Sequence, residues 1–177
     1  MKNKNHSKNN ANIVNTDLHT LLVNHLKEVY WAEKFQLKNL SLLVNEATSE
    51  KLYNAIITHE KETENHIKRI EEVFSLIGEQ PKLSECMAIQ GLINETQHMI
   101  HNTNFGSMVR DVCIIACLQK IEHYEIASYG TLKTICKALE YLGAASILDE
   151  TLSEEKYADS VLTGIGENYV VEVAVDE

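Results

Sequence analysis

Proline and glycine are scarce in this 177-residue chain, which contains one proline and seven glycines. An all-β fold needs many tight turns built from such residues, so their scarcity argues against one. Alanine, leucine, isoleucine, glutamate and lysine are frequent instead, and together they favour helix. We therefore expect an all-α fold, and the length suits one domain with a sizeable core.

Long apolar runs are missing as well. The longest, residues 112–118, falls far short of the roughly 20 residues that span a bilayer. Residues 1–16 form a polar leader, predicted to be disordered, without the apolar segment of a secretory signal. The net charge of −10 disfavours binding to nucleic-acid backbone or to an anionic membrane. We expect a cytoplasmic protein that binds neither.

Motifs of several enzyme classes are also absent. The four cysteines form no CxxC pair, and we interpret them as small buried hydrophobes in a reducing cytosol. No glycine-rich phosphate loop and no nucleophile motif occurs. These absences argue against a serine, cysteine or phosphate-binding enzyme.

Apolar residues recur at three- and four-residue spacing in four long segments, and this periodicity predicts four helices. Their predicted bounds are 17–45, 48–77, 105–142 and 144–164. An amphipathic pattern within residues 82–103 predicts a shorter helix that carries the chain back across the bundle.

Two stretches depart from a regular helical pattern. The third long helix would measure about 55 Å if unbroken, so we expect a bend or break near Gly130. Residues 167–177 alternate as a strand does but have no partner run, so we predict an irregular tail or one bound to the surface. The bundle domain would then cover residues 17–166.

Each long helix carries a glutamate inside its apolar stripe. A buried carboxylate is costly unless it is paired or holds a metal. The third helix has two of them three residues apart in "QKIEHYEIASYGTL", where they lie on one stripe. The glutamates, with polar partners at helical spacing, are Glu33 with Gln36, Glu62 with His66, Glu122 with Glu125, and Glu155 with Asp159.

Surface alternatives remain for several of these residues. Glu33 could lie at the edge of its stripe and pair with Lys34 or Lys38. The stretch "THEKETENH" could be a solvated helix face, and Glu154 is expected to be solvated.

The repeated pattern favours a metal centre. In a four-helix bundle with one crossover, a dinuclear site is built from a Glu on two helices and a Glu plus a His on the other two. Carboxylate and imidazole suit iron, manganese or zinc. We therefore expect two divalent metal ions, with iron as the first choice.

The chain also resembles a known family from about residue 18 to residue 162. "HEKETENHIKRIEEVF", "CMAIQGLINE", "QKIEHYEIASYGTL" and "LDETLSEEKYAD" are similar to the YciF-type (DUF892) ferritin-like stress-associated proteins. The resemblance implies an antiparallel ferritin-like four-helix bundle with a helical crossover, a homodimer, and a metal site without an assigned reaction. By position, its metal ligands would be Glu33, Glu62, His66, Glu122, Glu125 and Glu155.

Within this set, two glutamates are candidate bridges and two are candidate terminal ligands. Glu33 and Glu122 are expected to bridge the two metals, and Glu62 and Glu155 to be terminal ligands. Ferritins and rubrerythrins place a His three residues after the second-helix glutamate. Here Asn65 stands there and His66 follows it, while His59 precedes Glu62 by three residues. Whether His59 or His66 is the ligand stays open.

Two functions fit these residues. The first is a di-iron or di-manganese stress protein that reacts with dioxygen, peroxide or iron. The alternative is a non-catalytic structural or interaction protein with a vestigial acidic layer. Whether the protein is an enzyme stays open.

Overall fold

The computed structural model describes residues 16–177, all of whose regular elements are helical. The helices are α1 Asp17–Leu43, α2 Glu50–Leu76, α3 Met87–His101, α4 Met108–Ala138, α5 Leu142–Ile165 and α6 Val171–Ala174. Apart from Thr16, the predicted polar leader lies outside the described residues. Within the described range, no helix combines the length and the hydropathy needed to cross a membrane.

Side-chain caps start the long helices. The Thr16 hydroxyl accepts the backbone N–H of His19 in the first turn of α1. Ser49 does the same for α2. The Asp111 carboxylate of α4 accepts the N–H groups of Thr48 and Ser49 at 2.7 Å each, which joins the start of α2 to the start of α4.

The four long helices form a closed ring. α1 packs on α2 and α4, and α5 packs on the same two helices. The shorter α3 lies against α1 and α4 and connects the two halves. This is the predicted antiparallel ferritin-like four-helix bundle with a helical crossover.

The apolar interior is divided by a polar layer. One core lies where α1 begins and α2 ends, and includes Leu22, Leu26, Phe74, Leu132 and Leu148. The other lies near the opposite end and includes Leu40, Leu52, Ile56, Leu118 and Leu162. Burying these side chains contributes most of the stabilisation that holds the polar layer in place.

The third long helix does not break at Gly130, contrary to the sequence-based expectation. α4 continues to Ala138, because Tyr129 and Leu132 on either side of the glycine are fully buried and their packing outweighs its poor helix propensity. The chain turns at Glu140 instead, in a left-handed conformation with φ 60°. Gly143 therefore lies in the first turn of α5 rather than between helices.

The tail is helical, which corrects the prediction of an irregular segment. A π-helical turn, Gly166–Val170, continues α5 into α6. Val170 is fully buried in the core that contains Leu162. Its burial gives the tail a tertiary anchor that the alternating pattern did not indicate.

Candidate metal centre

A buried polar layer crosses the bundle between the two apolar cores. It contains side chains from all four long helices. Its members are Glu33, Gln36, His59, Thr63, His66, Glu122, Glu125, Ser128, Thr151 and Glu155. The helical spacing seen in the sequence therefore does bring glutamates from three helices to one level.

Two groups of potential metal ligands lie within this layer. One consists of His59, Glu122, Glu125 and Glu155, and the other of Glu33, His66 and Glu155. In each group the potential ligand atoms lie within 4.8 Å of one another. Glu155 belongs to both groups, and Glu33 and Glu122, the bridges expected from the sequence, belong to one group each.

Both candidate histidines face the layer. The Nε2 of His59 lies 3.2 Å from Oε1 of Glu122 and 3.1 Å from the amide nitrogen of Gln36. The Nδ1 of His66 lies 2.9 Å from Oε1 of Glu155 and 3.7 Å from Oε1 of Glu33. One imidazole therefore belongs to each ligand group.

The carboxylates are poorly satisfied by the protein itself. Both oxygens of Glu122, Glu125 and Glu155 are buried without a hydrogen-bond partner among the described residues. The contact of His66 with Glu155 is short, but it lacks the alignment of a hydrogen bond. Buried polar atoms normally have a hydrogen-bond partner. So many oxygens without one in a single layer therefore indicate a candidate ligand-binding site.

Burial and mutual repulsion set the protonation of the acids. Burial, with the charges of Glu155 and Glu125 beside it, raises the pKa of Glu122 well above its ordinary value. Burial and the nearby charge of Glu33 do the same to the pKa of Glu125. The layer therefore repels the addition of further negative charge.

The charge of His66 offsets part of this repulsion. Burial lowers the pKa of His66, but the carboxylates of Glu155 and Glu33 outweigh burial and raise it to about 12. Burial conversely favours a neutral Glu155, but the His66 imidazole keeps the pKa of Glu155 below its ordinary value. Without metal, a protonated His66 is thus the local counter-ion.

An outer ion pair fixes the orientation of His66. Its Nε2 lies 2.8 Å from Oε2 of Glu154, whose other oxygen accepts from Arg69 at 3.0 Å. Arg69 holds the pKa of Glu154 below its usual range. An ionised Glu154 accepts a hydrogen bond from the Nε2–H group of His66 and leaves Nδ1 directed at the layer, the arrangement typical of metal-ligating histidines.

This role of Glu154 was missed by the sequence analysis, which expected it to be solvated. Only its position next to Glu155, together with a cation on another helix, could have suggested it. Tyr129 was missed too: its fully buried hydroxyl donates to Oε1 of Glu33, and the apolar pattern around it gave no indication.

Two predicted members lie away from the centre of the layer. The side chain of Glu62, expected in the core, is 28% exposed, and its Oε2 lies 3.7 Å from Nδ1 of His59. It belongs to neither ligand group, because His59, Thr63 and His66 occupy the inward face of this part of α2 and Glu62 lies at the edge of that face. Asp159 lies 3.5 Å from the amide of Gln119, one turn beyond the layer.

The remaining donors fit a pair of divalent ions. Carboxylate oxygens with one imidazole in each group are the ligands that iron, manganese and zinc accept. The donors come from rigid helices, and several have no competing partner among the described residues. Glu155, which occurs in both groups, could contribute a carboxylate to either of them.

The fold and this layer define the ferritin-like class of helical bundles. A family model described as Domain of unknown function (DUF892) matches residues 17–174, and the chain belongs to this family. It is 42% identical to Protein YciF of Escherichia coli (strain K12) over 151 residues, which is 85% of this chain and 90% of that protein.

Solved structures also match the fold of this chain. The crystal structure of the E. coli stress protein YciF matches with a TM-score of 0.84 and 39% identity, covering 89% of this chain and 98% of that one. YcfI from Rhodopseudomonas palustris, provisionally described as a structural protein, matches with a TM-score of 0.81 and 34% identity, covering 84% and 94%. A Xanthomonas campestris protein shares the fold at a TM-score of 0.70 and 19% identity, covering 90% and 98%.

Proposed function

We propose that this chain is a cytoplasmic, homodimeric stress-response protein that binds two divalent metal ions in the buried layer. Iron is the first choice, with manganese or zinc as alternatives. Dioxygen, peroxide or further ferrous iron would be the co-reactant.

The observation that supports this proposal best is the charge of the layer. Four glutamates, Glu33, Glu122, Glu125 and Glu155, are each 0% exposed. Isolated buried carboxylates are strongly disfavoured. Two divalent ions carry four positive charges, which would neutralise four carboxylates and occupy the oxygens that lack partners.

The protein's own residues would prepare the site. Glu154 and Arg69 orient His66, and the Tyr129 hydroxyl orients Glu33. The apolar cores on both sides keep the layer glutamates away from bulk water, which strengthens the electrostatic contacts among them. When bound, a metal pair would supply Lewis acidity and, in the case of iron, electrons.

Metal binding is expected to displace the proton of His66, because only a neutral imidazole is a ligand. Apparent affinity should therefore fall as the pH is lowered. Titration in weakly buffered solution should show protons released as metal binds.

Metal analysis of protein purified without chelators tests the proposal, with an expected stoichiometry of about two ions per chain. Glu122→Ala should lower metal content sharply. Glu64→Ala, on the exposed face of α2, is the matched control and should not. Glu62→Ala should have a smaller effect than Glu122→Ala, because Glu62 lies at the edge. Equal occupancy in all variants would mean that metal binds elsewhere.

Reactivity separates the two candidate functions. The protein is loaded anaerobically with ferrous iron and then exposed to air or peroxide. We expect slow, stoichiometric oxidation that Glu122→Ala abolishes. Bound iron that oxidises no faster than in buffer would instead support the non-catalytic alternative, which the structural description of the R. palustris relative favours.

A further inference from the structure

A cavity of about 430 Å³ opens between α2 and α5 and has two layer residues in its lining, His59 and Glu122. Its volume falls in the range of small-molecule sites, about 300–1,000 Å³. Protein interiors are otherwise close-packed, with few voids larger than a water molecule. The cavity therefore offers a path between solvent and the metal layer.

The walls of this cleft are mostly apolar. They are formed by Ala55, Ile56, Leu118, Ala158, Val161 and Leu162. Ala55 on α2 and Ala158 on α5 provide the space, because larger side chains at these positions would extend into it. Dioxygen, peroxide and ferrous ions do not need an apolar cleft of this size, whereas an aliphatic chain would bury its surface there.

Charge is distributed unequally along the cleft. Lys51, in the first turn of α2, lines one part, and its ammonium lies 4.7 Å from the ring of Tyr169. It forms no ion pair with the described residues. Glu62 and Glu122 line the part near the layer and would repel an anion. An anionic head group is therefore favoured beside Lys51 and disfavoured beside the layer.

The separation of Lys51 from the layer can be measured along the axis of α2. Lys51 and His59 are eight residues apart on α2, which corresponds to about 12 Å. This span matches a medium-chain aliphatic acid in extended form. With its carboxylate at Lys51, the end of such a chain would reach the layer.

We infer that the cleft between α2 and α5 binds a medium-chain aliphatic monocarboxylate, with its head group at Lys51 and its tail directed toward His59 and Glu122. The inference goes beyond the proposed function, because it assigns an organic ligand to the cleft beside the layer and does not require that metal is bound. It adds an occupant for the cleft and a defined orientation.

Calorimetric titration with decanoate tests the inference on the full chain, in metal-loaded and chelator-treated protein. Lys51→Met should weaken binding about three- to fivefold, as expected for the loss of one partly exposed ion pair. Ala158→Phe should abolish binding by filling the cleft. Lys61→Met, an exposed lysine on the same helix outside the cleft, should bind as the wild type does. Decanol should bind more weakly than decanoate.

Metal content is measured on every sample, so the two proposals can fail separately. Decanoate binding that survives metal removal supports the cleft even if the metal proposal is wrong. Absence of decanoate binding to protein that holds metal would overturn the inference and leave the metal site standing. Binding that requires metal and ignores Lys51→Met would place the head group at the metal and would also overturn it. Lys51→Met changes only an exposed side chain, so this comparison is valid even if Ala158→Phe does not fold.

Discussion

Replacing Glu122 by glutamine should stabilise the metal-free protein. Both carboxylate oxygens of Glu122 are buried without a hydrogen-bond partner among the described residues, and Glu155 and Glu125 add like charge beside it. The amide of Glu122→Gln has the same shape, carries no charge, and can donate to a neighbouring carboxylate.

The size of the effect follows from the cost of the group that is removed. A buried, unsatisfied polar group costs about 1–3 kcal/mol, more when it is charged. In a domain of this length, each kcal/mol shifts Tm by about 2–4 °C. Glu122→Gln should therefore raise the Tm of the chelator-treated protein by roughly 2–12 °C.

The gain in stability from Glu122→Gln should increase as the pH rises. Because the pKa of Glu122 in the folded protein lies above its ordinary value of 4.5, the folded state holds a proton that the unfolded chain has released. The contribution of Glu122 to stability is therefore greatest in acid and is lost as the pH rises above 4.5. The advantage of Glu122→Gln should be small near pH 4.5 and should grow toward neutral pH.

Bound metal should reverse the effect of Glu122→Gln on Tm, so that the variant is less stable than the wild type. A ligand that binds only the folded state stabilises it by mass action, and each tenfold loss of affinity removes about 1.4 kcal/mol of that stabilisation at saturating metal. Thermal melts by circular dichroism, with chelator and with excess metal, provide the assay, and exposed Glu64→Gln is the control. A metal-free Glu122→Gln protein less stable than wild type at neutral pH would refute the reasoning, as would an advantage that shrinks as the pH rises.

Three further predictions concern other parts of the molecule. Glu154→Gln should weaken metal binding about 10- to 100-fold through loss of the orientation of His66, measured by competition with a chelator; unchanged affinity would mean that Glu154 does not act on the metal. Ser49→Ala should destabilise the protein by about 0.5–2 kcal/mol in urea without altering metal content, because it removes only the cap of α2. Light scattering at micromolar concentration should give the mass of a homodimer, and a monomer would contradict that proposal.

Much of the fold could be predicted from local sequence. Apolar residues at three- and four-residue spacing mark the helices because that spacing places them on one helical face. The same rule selected Glu33, Glu122 and Glu155, each of which stands within an apolar stripe and is buried in the structure. The break predicted at Gly130 was wrong, because the packing of its buried neighbours outweighs the poor helix propensity of glycine.

The arrangement within the layer could not be read from one helix at a time. Spacing along α2 suggested Glu62, yet its side chain is partly exposed while His59 and His66 face the layer. The rotation of α2 about its axis decides this choice, and packing against α1 and α5 sets that rotation.

The sequence by itself thus determined the number of long helices, their approximate bounds and the presence of an acidic level across them. Only the tertiary structure decided that Glu155 belongs to both ligand groups and that Arg69 fixes Glu154 beside His66. Arg69 and Glu154 are 85 residues apart in the chain. The physical reason is that helical periodicity is a local property, whereas contacts between helices depend on how whole faces pack together.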